Sequence, residues 1–119
     1  MTIAESIELG GELIALIIQG QDYPAQTTFY TPDMLNVQVG HVVYPRDGEV
    51  APHRHRPLER HLVGTSEVLV VVKGEVEVTL YDDESRKIAV RELRQGDVLV
   101  LTGKGAHGFR MLEDTVLLE

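Results

Sequence analysis

The sequence predicts an all-β domain of antiparallel strands, and three observations support this prediction. Residues 75–80 alternate between polar and apolar side chains, which places Val76, Val78 and Leu80 on one face of a strand. Residues 68–72 form a continuous run of β-branched residues and leucine, as expected of a strand that is covered on both faces. Turn-forming residues recur at short intervals along the chain, which is typical of a sandwich or a barrel.

Further strand candidates lie along the rest of the chain. Beyond the two runs above, strands are predicted at residues 12–19, 35–44, 50–61, 87–93, 98–101, 107–111 and 115–118. Lys73 and Gly74 indicate a tight hairpin turn between the runs at 68–72 and 75–80. Further turns are predicted at residues 45–48, 81–85, 95–97 and 103–105. The first dozen residues form either a loose arm or an exchanged strand.

Length and composition restrict the class of protein. A chain of 119 residues with 43 % apolar residues fits one globular domain. It has no cysteine, which excludes a disulfide framework, a thiolate metal site and a cysteine nucleophile. The longest apolar run near the start covers only residues 13–18, and no lysine or arginine precedes it. A secretion signal or a membrane span is therefore not expected, and we expect a soluble cytoplasmic protein.

Charge argues against nucleic acid as a partner. The formal net charge is −8, and residues 1–50 contain Arg46 as their one basic residue against seven acids. Such a surface repels a phosphate backbone. Residues 52–61 are the exception, because they contain Arg54, Arg56, Arg60 and three histidines. This basic stretch indicates either an anionic small-molecule ligand or a solvated strand edge.

His53 and His55 form a candidate metal-binding pair. Side chains two positions apart on a strand face the same side, so both imidazoles point inward or both point to water. Two inward imidazoles need polar partners, and a shared metal ion supplies one. The alternative is an exposed pair without a ligand.

Two motifs extend this pattern. Gly48, Glu67 and Gly74 accompany the histidine pair, Gly96 and His107 follow later in the chain, and together these residues resemble the motifs of the cupin superfamily. The first cupin motif, a glycine, His-x-His, a glutamate and a second glycine, is matched by Gly48, His53, His55, Glu67 and Gly74. The second motif is matched at the family spacing by Gly96 and His107. The resemblance covers about residues 35–118 and implies a single-domain antiparallel jelly-roll β-barrel at residues 35–119. Residues 1–34 are then an N-terminal arm and first strands packed on the barrel.

The resemblance implies one divalent metal ion held by His53, His55, Glu67 and His107, and the donor set does not distinguish Fe, Mn, Ni, Cu and Zn. It also implies a homodimer, which would cover open strand edges.

Eleven residues separate His55 from Glu67, where cupins have three or four. Glu59 satisfies the short spacing and is the alternative carboxylate. Glu67 is preferred because a strand pattern follows it. To place Glu67 opposite His55, the chain would have to form an extended hairpin that turns near Gly64.

Four residues separate Gly48 from His53, where cupins usually have five, and the other departures from the family pattern fall in the second motif. Thr102, Lys104 and Met111 stand where cupins have proline, glycine and asparagine. Weaker candidates for substrate contacts are Arg60, His61 and Arg110, which could bind a carboxylate or a phosphate.

The resemblance implies a metal-dependent protein that acts on a small polar or anionic molecule. The reaction stays open among oxygenation, isomerisation, and hydrolysis or decarboxylation, because a fold alone does not assign a chemistry. Two alternatives also stay open. One is a non-catalytic module that binds a metal or a small molecule, and the other is a metal-free sugar epimerase or ketoisomerase with a histidine base and a nearby tyrosine. Whether the chain is an enzyme is therefore not decided by its sequence.

Overall fold

The computed structural model describes residues 2–119, and this part of the chain contains ten strands and no helix. It accordingly has no helix long and apolar enough to cross a membrane. The strands are β1 (Ala4–Leu9), β2 (Glu12–Ile18), β3 (Thr28–Phe29), β4 (Gly40–His41), β5 (Glu67–Lys73), β6 (Glu75–Tyr81), β7 (Lys87–Arg94), β8 (Val98–Leu101), β9 (Ala106–Met111) and β10 (Val116–Leu118).

The strands form three antiparallel sheets. The largest has the order β1-β2-β8-β5-β10, the second has the order β7-β6-β9, and β3 pairs with β4. Every strand pair is antiparallel. The predicted all-β antiparallel class is confirmed, whereas the sheets of residues 2–119 do not close into a barrel.

The main core lies between the five-stranded and the three-stranded sheet. Alternate residues of each strand point into it, as the period of two requires. The buried members are Ile7, Ala15, Ile17, Leu69, Val71, Val76, Val78, Leu80, Leu93, Leu99 and Leu101.

A second cluster covers the opposite face of the five-stranded sheet. Leu16, Ile18 and Val100 are buried there, and part of the segment between β3 and β4 packs on them. Strand β2 is therefore buried on both faces, which explains why residues 14–18 are apolar at every position.

Gly74 forms a corner between the two large sheets. A hairpin was predicted here, and this prediction is wrong, because β5 belongs to the five-stranded sheet and β6 to the three-stranded sheet. Gly74 has a φ of +93°, and a Cβ atom added to it would lie 2.6 Å from Thr115 Oγ1. Only glycine accommodates both this backbone conformation and this close approach.

Asp97 fastens the turn between β7 and β8 to the end of β2. Its carboxylate is 7 % exposed, and it accepts hydrogen bonds from the backbone N–H groups of Gly20 and Arg94, both at 2.9 Å. Two backbone donors that strand pairing leaves free are thereby satisfied, which removes the cost of burying them unpaired.

Most of the predicted strands are confirmed, and two of the strand predictions are wrong. Residues 50–61 form no strand, because Pro52 and Pro57 lack the N–H groups that a strand ladder needs, and every residue there is exposed. The strand predicted at 35–44 is reduced to Gly40–His41. At the N-terminus, where an arm or an exchanged strand was expected, β1 pairs with β2 of the same chain.

An ion pair joins the two large sheets at one margin. Arg91 of β7 donates to Glu5 of β1 through Nε (2.9 Å to Oε1) and Nη2 (2.9 Å to Oε2). The hydrogen bonds from Arg91 hold the pKa of the Glu5 carboxyl below its ordinary value. Each side chain is about 40 % exposed, so solvent screens much of the attraction.

Replacement of Glu5 tests this contact. We expect Glu5→Gln to lower the free energy of unfolding by no more than about 1 kcal/mol at pH 7, because the pair is partly exposed. Since the pKa of Glu5 is lowered by folding, its contribution is complete above about pH 5 and is lost as the pH falls through the folded-state pKa. Urea unfolding of parent and variant between pH 3 and 7 measures this difference.

Glu8→Gln is the matched control, because Glu8 lies on the same strand and is exposed. An equal loss of stability in both variants, or a Glu5→Gln effect that does not change with pH, contradicts the assigned role.

Candidate functional site

Glu67 and His107 approach each other across the gap between the two large sheets. Glu67 is the first residue of β5, and His107 is the second residue of β9. The distance from Glu67 Oε2 to His107 Nε2 is 3.8 Å. His107 follows Glu67 by forty positions in the chain, so their proximity results from the sheet arrangement and not from a local turn.

Strand alternation directs both side chains into the space between the sheets. Glu67 lies on the same face of β5 as Leu69 and Val71, which are buried in the main core. His107 shares its face of β9 with Phe109, which packs against the same core. The two polar side chains therefore occupy the end of an otherwise apolar interior.

The pair is open to water at this end of the sandwich. The side chains of Glu67 and His107 are 28 % and 32 % exposed. A separation of 3.8 Å is too long for a hydrogen bond. Two ligands at about 2.1 Å from one metal ion lie up to about 4.2 Å apart, so the gap is of a size that a shared ion could bridge.

His53 and His55 lie together on a different part of the chain. Residues 44–65, which we term the exposed segment, are exposed at every position and contain no strand. The centroids of the two imidazole rings are 5.4 Å apart. Two imidazoles bound to one ion have centroids up to about 6.4 Å apart, so this spacing also suits a common ion.

The hydrogen bond of His53 specifies which ring nitrogen is free. Its Nδ1 lies 2.9 Å from the carbonyl oxygen of Ala51, and because a carbonyl accepts, Nδ1 carries the proton. Nε2 is left as a potential ligand. Metal-binding histidines commonly have this arrangement, with one nitrogen bonded to a backbone carbonyl and the other to the metal.

The four predicted ligands form two pairs and not one cluster. Residues 2–119 contain no group of three or more histidine, aspartate or glutamate side chains placed to hold a metal ion. Glu59, the alternative carboxylate, lies in the exposed segment. Gly64 does bend the chain, with a φ of +86°, but the long hairpin that was expected to place Glu67 opposite His55 is not formed.

The three weaker candidates lie apart from the Glu67–His107 pair. Arg60 donates from Nη1 to the carbonyl oxygen of Met34 at 3.1 Å, and the neighbouring His61 is exposed. Arg110 lies on the opposite face of β9 from His107, with its Nε 3.8 Å from Glu77 Oε1.

A tyrosine–histidine pair was not found from the sequence. Tyr30 Oη and His41 Nδ1 are 2.7 Å apart and partly buried. His41 follows Tyr30 by eleven positions, and the chain between them is mostly irregular, so no periodic pattern could have indicated the contact.

The acidic residues at 82–84 have a structural role, as expected for a hairpin tip. Asp82 accepts hydrogen bonds from the backbone N–H groups of Arg86 (2.8 Å) and Glu84 (2.9 Å), and its other oxygen accepts from Arg86 Nε. These bonds, the Arg86 N–H first among them, hold the pKa of Asp82 below its ordinary value.

Comparisons with protein-family models, with curated proteins and with solved structures find no match to this chain.

Proposed function

We propose that this chain binds one divalent metal ion through Glu67, His107, His53 and His55, in a cupin-like jelly-roll domain. The single observation that supports it most strongly is the approach of Glu67 and His107 from two different sheets to 3.8 Å. Imidazole nitrogen and carboxylate oxygen suit Zn, Fe, Mn, Ni and Cu. This carboxylate and this imidazole lie at the end of an apolar interior, where a shared ion would satisfy both groups.

The exposed segment supplies the second pair of ligands in this proposal. It carries His53 and His55 with a spacing that suits one ion, and it pairs with no strand of residues 2–119. Strand β9, which carries His107, is an edge strand of the three-stranded sheet, so its outer side is free to accept a neighbouring segment. We infer that ion binding draws the exposed segment toward this edge and joins the two pairs.

A bound ion would polarise a substrate oxygen or lower the pKa of a coordinated water. The residues of the chain would orient the substrate and limit its access to water at the open end of the sandwich. Arg54 and Arg56 alternate with the two histidines, so they favour a small polar or anionic molecule as the substrate. If the bound ion is redox-active, its identity would indicate oxygen chemistry, whereas zinc would indicate hydrolysis or isomerisation.

Metal content and affinity test the ligand set. We expect about one equivalent of a first-row divalent metal in protein purified without chelator. The double variant His53→Ala/His55→Ala and the single variants Glu67→Gln and His107→Ala should each bind at least about tenfold more weakly, since loss of an outer-sphere partner alone costs about 10–100-fold. Elemental analysis and calorimetric titration of the metal-free protein measure both quantities.

Two matched controls lie in the exposed segment. His61→Ala removes a histidine, and Glu59→Gln removes the alternative carboxylate, and both should leave the affinity unchanged. Loss of binding in Glu59→Gln with normal binding in Glu67→Gln assigns the carboxylate to Glu59. An absence of binding for every divalent ion tried overturns the proposal and favours the metal-free alternative.

Limited proteolysis tests the joining of the two pairs. The exposed segment contains trypsin sites after Arg54 and Arg60. We expect saturating zinc to slow cleavage at both sites by at least about tenfold, because ligation opposes the opening that a protease needs. Cleavage after Arg86, which lies in the exposed turn between β6 and β7, is the internal control and should not change.

The protection should disappear in Glu67→Gln, because this residue lies outside the cleaved segment. If zinc binds but cleavage after Arg54 keeps its rate, His53 and His55 bind the ion without Glu67 and His107, and the four-ligand site is wrong.

A homodimer is part of the proposal. Val72, Val116 and Leu118 are about half exposed and lie together on the outer face of β5 and β10. This apolar surface at a sheet edge would be covered by a second copy of the chain. Light scattering at micromolar concentration should give the mass of a dimer, and Val72→Lys/Val116→Lys should give a monomer. A parent protein that stays monomeric contradicts the dimer.

A further inference from the structure

A cavity of about 330 Å³ lies between the chain that follows β2 and strand β4. Gly20, Asp22 and Tyr23 line one side of it, and residues 41–44 line the other. None of these residues is a proposed metal ligand. The volume is at the lower end of the range of small-molecule sites, which is about 300–1,000 Å³, so the cavity suits one small ligand.

Hydrogen bonds hold both sides of the cavity in place. On the first side, the backbone N–H of Gly20 donates to the buried carboxylate of Asp97 at 2.9 Å. On the second side, the backbone N–H of Val43 donates to Thr27 Oγ1, also at 2.9 Å. The two sides are therefore fixed to neighbouring parts of the fold, and a ligand does not have to order them.

Tyr44 is held at the cavity although it is the first residue of the exposed segment. It directly follows Val43, whose backbone is bonded as described above. The N–H of Gly48 donates to the carbonyl oxygen of Pro45 at 3.0 Å, so residues 45–48 form a turn of their own. His53 follows Tyr44 by nine positions, and the chain beyond Gly48 can take up the movement of the two histidines. The cavity therefore does not depend on the proposed metal site.

Two tyrosine rings at the cavity are left facing water. The side chains of Tyr23 and Tyr44 are 70 % and 53 % exposed, and they lie on opposite sides of the cavity. Neither ring belongs to a core cluster. The face of a tyrosine ring is electron-rich and attracts a cation that lies within about 6 Å of the ring centroid. The exposed rings thus favour a ligand that is cationic and partly apolar.

The charges at the cavity also favour a cation. Among the described residues that line it there is no lysine or arginine, and Asp22 is the one carboxylate. Asp22 takes part in no ion pair within residues 2–119, and one of its oxygens accepts a hydrogen bond from the N–H of Tyr23 at 2.8 Å. Residues 1–50 carry seven acids and only Arg46 as a basic residue, so the wider field has the same sign.

We propose that this cavity binds a small quaternary ammonium ion, with its methyl groups against the rings of Tyr23 and Tyr44 and its charge near Asp22. Such an ion has apolar methyl groups that cover the exposed rings, and it has no N–H group that requires an acceptor. A primary ammonium ion is strongly hydrated, so it loses more on leaving water.

NMR titration of the full chain with choline chloride tests the cavity. EDTA is included so that the result is independent of any metal, and pH 8 is used because histidine side chains carry little positive charge there. We expect saturable shifts of the amide signals of residues 20–23 and 41–44. The neutral analogue of choline, in which carbon replaces the nitrogen, should bind at least about fivefold more weakly because it lacks the charge. Ethanolamine should also bind more weakly.

Substitutions locate the binding. Tyr23→Leu and Asp22→Asn should each weaken choline binding by about threefold or more, whereas Tyr23→Phe keeps the ring and should bind like the parent. Both residues are exposed, so the fold should persist, and circular dichroism verifies this. Asp33→Asn removes an exposed aspartate that does not line the cavity, and as the matched control it should leave the affinity unchanged.

An absence of saturable shifts, or equal affinities for choline and its neutral analogue, overturns the cationic class. Equal affinities for choline and ethanolamine overturn the quaternary class, and unchanged binding in Tyr23→Leu overturns the location. Phosphatidylcholine vesicles carry the same head group. If the chain cosediments with these vesicles but does not bind free choline, its ligand is a lipid surface and the proposal of a small solute is wrong.

Discussion

The two-sheet arrangement depends on the corner at Gly74. At this residue the chain leaves the five-stranded sheet and enters the three-stranded sheet, so that β5 and β6 face each other across the core and do not pair as neighbours. The corner needs a positive φ and a close approach to residues 114 and 115, both of which exclude a Cβ atom. Because the two sheets face each other, Glu67 and His107 meet. A side chain at position 74 would thus disturb the fold and the candidate site together.

Two polar contacts cross between the sheets, and their geometries differ. Arg91 and Glu5 make direct hydrogen bonds of 2.9 Å, which satisfy both groups and join one margin of the sandwich. Glu67 and His107 stand 3.8 Å apart at another end, and their polar atoms remain free to bind something between them. The Glu67–His107 distance is about one ångström longer than the Arg91–Glu5 hydrogen bonds. This difference supports a structural role for Arg91 and Glu5 and the ligand-binding role that we propose for Glu67 and His107.

Local patterns predicted most strands, and tertiary effects account for the failures. Residues 75–80 and 68–72 carry strong periodic or apolar signals, and both are strands. Residues 50–61 were also predicted as a strand, but they have no apolar alternation. The prolines at 52 and 57 cannot donate to a strand ladder, and no strand of residues 2–119 pairs with this stretch. The change of sheet at Gly74 could not be predicted, because a hairpin and a corner use the same turn residues.

The candidate site was likewise predicted in part, where its residues lie on strands, and missed where the chain is irregular. The approach of Glu67 to His107 was expected from the resemblance to the cupin motifs, and both residues lie in strands that the sequence pattern indicated. The placement of His53 and His55 depended on a strand that is not present. The Tyr30–His41 contact depends on the irregular chain between the two residues, for which the sequence has no periodic signal.

In the proposed site, the short tether between the two pairs of side chains has a consequence for affinity. His55 precedes Glu67 by twelve positions, and a flexible chain of that length has a root-mean-square span of about 20 Å. The histidines are thus confined near the Glu67–His107 pair at an effective concentration in the millimolar range. An ion that is held weakly by two ligands would meet the other two as an intramolecular reaction. Its retention would depend on the length of the exposed segment as much as on the identity of the ligands, so that insertions there would release the ion without altering any residue that binds it.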